Sequence, residues 1–215
     1  MPKLKPSTQM ARRDHILDAA EQCFARGGFH ATTMQDICRE ALVSLGALYV
    51  YFDSKEALIA GLCERDRAEL SQRLEKVAAA ADFLKALEAI GETYFVGDPV
   101  NKQRLVVEMG VESTRNPRVA EIFLGTDNFC RDSFRALFQR LKDEGRIAPK
   151  MDVATLAEVF HVIGDGLFWR RAIMPDYDAR TVLPALTEII GNLVNPVLSA
   201  TAPAATPHKT SEAAT

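Results

Sequence analysis

Cysteine is scarce and scattered in this chain. The four residues, Cys23, Cys38, Cys63 and Cys130, form no C-x-x-C pair. Such spacing argues against a disulfide scaffold or a zinc module and fits a reducing compartment. No apolar run approaches the roughly 18–20 residues of a membrane span. The start, MPKLKPSTQMARRD, lacks the apolar stretch of a secretory leader. No segment alternates with period two for long enough to suggest a sheet. Neither sign of charge is in large excess, with 26 Lys and Arg against 29 Asp and Glu and a net charge of −3. That balance gives no reason to expect a nucleic-acid partner. What is present is an ordinary globular composition, 47% hydrophobic over 215 residues, long enough to bury a sizeable core. These features lead us to expect a cytoplasmic protein with no membrane partner.

The charge is unevenly placed. Residues 1–13 carry Lys3, Lys5, Arg12 and Arg13 and no acid. Residues 1–56 hold seven basic and seven acidic side chains, so the net acidity lies entirely beyond them. The basic start reads either as a solvated tail or as an arm along phosphates.

Helical periodicity runs through the rest. Ile16, Ala19, Ala20, Cys23 and Phe24 recur at helical spacing within 9–26, and Gly27-Gly28 stops that helix. Thr33 followed by Asp36 offers a cap for a short helix over about 33–41, and Ser44 caps another over 45–52. Asp53-Ser54 restarts a helix that continues to about residue 80. Five further segments, 82–97, 100–115, 118–144, 152–173 and 180–199, are separated by Gly, Pro and Asn breaks. The Ala/Thr/Pro-rich 201–215 has no large apolar residue and reads as a disordered tail.

Three helices joined by very short turns, the last two of them brief, make the layout of a helix-turn-helix. The run from Gly28 to Leu58, GFHATTMQDICREALVSLGALYVYFDSKEAL, closely resembles the DNA-binding domain of the TetR/AcrR family of bacterial repressors. The likeness covers about residues 10–60; beyond it, only length and helical character match. Ile37, Leu48, Phe52 and Leu58 read as the packing that locks the helices together. Thr33 and Lys55, at helix starts, suit phosphate contacts. Ser44, Leu45, Gly46 and Ala47 open the recognition helix, where base edges come nearest. The resemblance makes Tyr49 a DNA contact, with Tyr51 shared between packing and phosphate. Two positions depart from the family pattern. Leu42 stands where a turn glycine is usual, at a cost of roughly 1 kcal/mol if φ is positive there. Leu45 replaces a polar residue and cannot donate to guanine, so readout is expected mainly through thymine methyls and DNA shape.

The resemblance implies an all-α protein: a helix-turn-helix domain over 1–56, then a helical ligand-binding and dimerisation bundle over 57–200. An inducer cavity is expected among the middle helices. Tyr94, Phe95, Met109, Glu112, Asn128, Phe134, His161, Asp165 and Trp169 combine apolar bulk with polar groups that a ligand could satisfy. A flat, hydrophobic, aromatic or flavonoid-like molecule is the expected ligand. Phe160, Ile163, Leu167, Leu186, Ile190 and Leu193 form stripes that the family would pair with a second copy, giving a homodimer on a palindromic double-stranded operator. His161 and Asp165 have the spacing of two metal ligands, but the sequence offers no third, so no metal or other cofactor is expected. No nucleophile–base pair or phosphate loop supports an enzyme. A ligand-responsive repressor is the leading reading, with a cavity-bearing enzyme and a DNA-binding dimer without inducer, or an activator, as alternatives. Because so little positive charge is available, phosphate contacts should be few and concentrated on the arm. Deleting residues 1–8 should therefore flatten the dependence of DNA affinity on salt, which falls by about 0.9 log units per log unit of salt for each phosphate neutralised. An unchanged slope would make the arm a solvated tail.

Overall fold

A computed structural model describes residues 6–174 and 176–197; the basic Lys3 and Lys5 and the tail 201–215 lie outside the described residues. All of the regular structure described is helical, apart from one isolated bridge between Ile147 and Pro196. In chain order the elements are α1 (Pro6–Ala31), α2 (Met34–Glu40), α3 (Leu45–Tyr49), α4 (Lys55–Ala79), α5 (Phe83–Glu92), α6 (Val100–Ser113), α7 (Pro117–Asp143), α8 (Val153–Ile173) and α9 (Leu183–Val194). The boundaries follow the capping residues. Thr33 and Asp36 make a reciprocal capping box at the start of α2: the Thr33 N–H donates to Asp36 Oδ2 at 2.9 Å, and the Asp36 N–H donates to Thr33 Oγ1 at 3.2 Å. Ser44, Ser54, Asp82, Asn116 and Asp152 cap α3, α4, α5, α7 and α8 in the same way, by accepting backbone N–H groups.

The turn between α2 and α3 contains Leu42 at φ +52°. This is the left-handed conformation that the departure from glycine raised as a cost, and the side chain gains nothing in return, since it is 90% exposed. The strain is tolerated because both flanks are anchored. Ala41 is buried, and the Val43 N–H donates to the Cys38 carbonyl at 3.1 Å.

One apolar cluster joins Ile16, Leu17, Phe24, Ile37, Leu48, Phe52 and Leu58 with Leu105 and Met109 of α6 and Val119 of α7. The reader's core is thus completed by the bundle. Where α4 crosses α1 the backbones approach closely: a Cβ on Gly61 would lie 2.9 Å from Leu17 Cδ2 and from a Phe52 ring carbon. A second cluster, with Phe138, Leu141, Leu156 and Val77 fully buried, holds the far ends of α4, α5, α7 and α8 and the end of α9.

The break in α1 fixes the reader to the bundle. Gly28 adopts φ +77°, turning the last residues of α1 out of helical register. The Phe29 N–H, freed by the break, donates to Glu108 Oε1 of α6 at 2.6 Å. One turn further along α6, Glu112 accepts from His30 Nε2 at 2.7 Å and from Arg115 Nε at 2.6 Å. A side chain at position 28 would be strained at this φ, and its Cβ, 2.9 Å from Glu108 Oε1, would push the carboxylate aside. The carbonyls released at the break, of Phe29 and His30, accept from the Lys55 ammonium, which also lies over the Phe29 ring.

Between α5 and α6 the helix widens into a π segment, Thr93–Gly97. Its free carbonyls are taken by distant side chains. Gln103 Nε2 donates to Tyr94 O at 2.7 Å, and Arg171 Nη2 donates to Val96 O and to Asp98 O at 3.1 and 2.5 Å. This segment sets where Tyr94 and Phe95 point.

Leu42→Gly should raise stability by about 0.5–1 kcal/mol, the relief of left-handed strain less the entropy of a freer unfolded chain. Urea unfolding measures it, and a loss of stability would contradict the strain. The Glu112 carboxyl is held below its ordinary 4.5 by the hydrogen bond from Arg115 and then that from His30. A depressed carboxyl adds stability above its unfolded value and loses it as pH falls through the folded value. Glu112→Gln should therefore lower the melting temperature at neutral pH, with the gap to wild type closing below about pH 4.5. A gap independent of pH would show that the ionised carboxylate is not what matters.

Candidate functional site

The reader presents a small polar face. Thr33, Ser44, Leu45, Gly46 and Tyr49 are exposed, and Ala47 is partly so. The short α3 is held from beneath by the fully buried Leu48, which turns Leu45 and Tyr49 outward together. A Cβ built on Gly46 meets nothing within 4 Å, so the approach to the backbone is open. Tyr51 packs against the reader core and is only half-exposed. Lys55 is drawn back to the carbonyls of Phe29 and His30. The other cations here are also committed: Arg13 to Glu64 at 2.7 Å, Arg26 to Glu40 at 2.8 Å, and Arg39 to Asp36. Arg12 has no such partner among the described residues.

In the bundle, α4, α5, α6, α7, α8 and α9 surround a cavity of about 290 Å³. Its walls are mainly apolar and aromatic, with Leu62, Leu105, Phe123, Phe134, Phe160 and Phe168 among them. Six of the nine predicted ligand residues line it: Tyr94, Phe95, Met109, Phe134, His161 and Asp165. Three do not. Glu112 faces His30 and Arg115 instead. Asn128 follows Asp127 by one residue, which rotates it to the outer surface, where it accepts from Arg131. Trp169 sits on the outer face of α8, 51% exposed. The sequence does not single out the lining residues of α4 or, apart from Phe134, those of α7, among them Cys63, Asp66, Thr126, Asp127 and Cys130. On α7 the lining positions 123, 126, 127, 130 and 134 follow helical spacing. That signal was present but mixed polar and apolar types, so it did not stand out as a stripe.

Two groups of polar side chains stand in or beside the cavity wall. Near α1, Lys102 reaches Asp66 at 3.0 Å and Asp98 at 3.6 Å, while Arg65 bridges Asp18 and Glu21, both at 2.5 Å. Burial raises the Glu21 carboxyl despite its cationic neighbours. On α7 and α8 His161 Nε2 donates to Asp127 Oδ1 at 2.8 Å, with Asp165 alongside. Burial also raises the Asp165 carboxyl and pushes both the Tyr94 phenol and the Cys130 thiol up to about 12. The thiols of Cys63 and Cys130 are thus poor nucleophiles.

The residues expected to pair two copies turn inward. Phe160, Ile163, Leu167, Leu186 and Ile190 line the cavity, and Leu193 packs on the second cluster. The exposed apolar stripe of α8 is instead Val162, Trp169 and Ile173, with Ile189 exposed on α9. The stripe read from sequence lies partly on this chain's own cavity, and the outward face is offset from it by about 100° per residue.

Among the described residues, no helix is long and apolar enough to cross a membrane. Comparison with known proteins agrees with the geometry. Residues 16–62 match the family described as bacterial regulatory proteins, tetR family, and residues 83–194 match the C-terminal part of BetI-type transcriptional repressors. The transcriptional regulator UidR of Escherichia coli K12 is 33% identical over 146 residues, spanning 66% of this chain and 72% of its own. The structure of Salmonella enterica GusR superposes with a TM-score of 0.72 at 27% identity, covering 89% of this chain and 98% of that one. FadR of Bacillus subtilis, solved with stearoyl-CoA, shares the fold at 19% identity, with a TM-score of 0.70 over 82% of this chain and 96% of its own. Regulators of this family bind DNA operators and small-molecule ligands and act as dimers. The chain is a transcriptional regulator, not an enzyme, and belongs to the TetR family.

Proposed function

We propose that this protein is a homodimeric repressor, released from a palindromic operator when a hydrophobic, aromatic small molecule with polar substituents enters the cavity. One observation carries the reading. Helix α6 lines the cavity with Lys102, Leu105, Val106 and Met109, and holds the end of α1 through Glu108 and Glu112. A ligand that displaces α6 therefore acts directly on the reader. Only a difference in affinity for the two arrangements is needed, since ligand binding shifts a pre-existing balance between them.

The aromatic walls, with Phe134 and Phe160 centroids 4.5 Å apart, suit a flat ring system. The Asp127–His161–Asp165 and Lys102–Asp66 groups supply donors and acceptors for hydroxyl or carbonyl substituents. In the dimer, Val162, Trp169, Ile173 and Ile189 are covered by a second copy, whose symmetry sets two α3 helices roughly 34–36 Å apart on successive major-groove faces. On the DNA, Leu45, Ala47 and Tyr49 read thymine methyls, Ser44 and Gly46 lie against the base edges, and Thr33 and Tyr51 approach phosphates. Lys55 acts chiefly as the clamp on the end of α1 and reaches phosphate only by releasing its carbonyls. The division into a reader over 1–56 and a sensor over 57–200 is functional; the two share an apolar core.

Selection of bound sequences from random duplexes should yield a palindrome with A·T pairs at the α3 contacts. Leu45→Ala should relax that preference at a cost of roughly 1 kcal/mol. An unchanged sequence preference would remove Leu45 from the reading surface. Mobility shift with the selected duplex should then show release by some members of a panel of phenols and flavonoid-like compounds, and no release by any of them would reject the aromatic-ligand reading. Met109→Trp, which fills the cavity from α6, should make release insensitive to the panel.

A further inference from the structure

His161 and Asp165 stand one helical turn apart on α8, and the objection to reading them as metal ligands was the want of a third donor. The fold supplies it from another helix. Asp127 of α7 lies against His161, with Asp127 Oδ1 and His161 Nε2 2.8 Å apart. One ligand atom from each of Asp127, His161 and Asp165 lies within 4.8 Å of the other two. Donors bound at about 2.0–2.2 Å to one ion are separated by roughly 3–4 Å, so small side-chain rotations bring all three onto a common centre. Asp165 makes no hydrogen bond or ion pair with any described residue, which leaves its carboxylate available for this. Ideal Cβ atoms on its neighbours Gly164 and Gly166 meet nothing within 4 Å, so the space around it is open.

We propose that Asp127, His161 and Asp165 form a three-ligand site for a first-row divalent cation, such as Zn²⁺ or Mn²⁺, where α7 and α8 line the cavity. One imidazole nitrogen and two carboxylate oxygens suit ions of this borderline class. The set has too few oxygens for Ca²⁺, which takes six to eight, and has no thiolate to favour Cu(I). Two carboxylates and a neutral imidazole balance a dication, removing the repulsion between two acids at the edge of an apolar space. Binding replaces the His161–Asp127 hydrogen bond, the two side chains moving apart to receive the ion. Its donors come from two helices, so occupancy ties α7 to α8.

The test uses the full-length chain without an affinity tag, freed of metal by a chelator. ZnCl₂ and MnCl₂ are titrated calorimetrically, and melting is followed with and without each salt. The expected result is one ion per chain with a rise in melting temperature. Asp127→Asn, His161→Ala and Asp165→Asn should each weaken binding by about tenfold or more. Asp165→Asn, which removes no hydrogen bond or ion pair among the described residues, should keep the wild-type helical circular dichroism, so its loss of binding cannot be ascribed to misfolding. A double Cys63→Ser, Cys130→Ser variant should bind as wild type does. No saturable binding of either ion at millimolar concentration would overturn the proposal, as would binding undiminished in the three donor variants or abolished by the cysteine substitutions. The measurement involves neither DNA nor an aromatic ligand, so its failure is distinct from failure of the proposed signalling.

Discussion

The hydrogen bond from the Phe29 N–H to Glu108, made possible by the left-handed Gly28, is the contact on which the rest of the arrangement depends. A helix normally ends with unsatisfied carbonyls, and its last N–H groups are already bonded within it. Here the break reverses that pattern locally. It frees an N–H for a carboxylate of α6 and two carbonyls for the ammonium of Lys55, at the start of α4. The end of α1 is thus held by charges of opposite sign from two different helices. Directional bonds of this kind allow little sliding, whereas the apolar contacts of Leu105 and Met109 beneath them are tolerant of small shifts. A displacement of α6 would therefore bear directly on the end of α1.

The same geometry separates two roles along one helix. Positions 105 and 109 belong both to the reader's core and to the cavity wall, while 108 and 112 grip α1. Substitutions at the two sets would act in different ways. The first set alters volume and so the balance between arrangements; the second alters the strength of the grip. A regulator needs both, because a cavity that changes shape without a grip transmits nothing.

Much of the fold was legible in the sequence, and the reasons are local. Capping residues, Pro breaks and helical spacing each act within a few residues, so Thr33, Ser44, Ser54 and Asp152 mark helix starts where the structure has them. Leu42 was legible for the same reason, as one residue in one turn. The candidate site was legible in part only. Tyr94, Phe95 and Phe134 could be named from apolar bulk, but which side of a helix faces a cavity depends on how distant helices rotate about their axes. Asn128 and Trp169 were displaced to the outside by that rotation. Asp127, whose neighbour in sequence had drawn attention, is the residue that turns inward. Glu112 was recognised as a buried polar residue in need of a partner, and it has one. The partner is His30, 82 residues away, and no periodicity encodes such a separation.

The π segment at Thr93–Gly97 has a consequence for how this cavity can change over generations. A π turn is an α-helix carrying one surplus residue. Removing any single residue from 93–97 would restore ordinary pitch and swing every preceding or following side chain by about 100°. Loss of Thr93, for example, would turn Tyr94 and Phe95 away from their present places on the wall. The chemistry of this pocket is therefore adjustable by length as well as by residue type. A one-residue deletion there would alter what the protein senses more deeply than most substitutions, while leaving the helix that carries it intact.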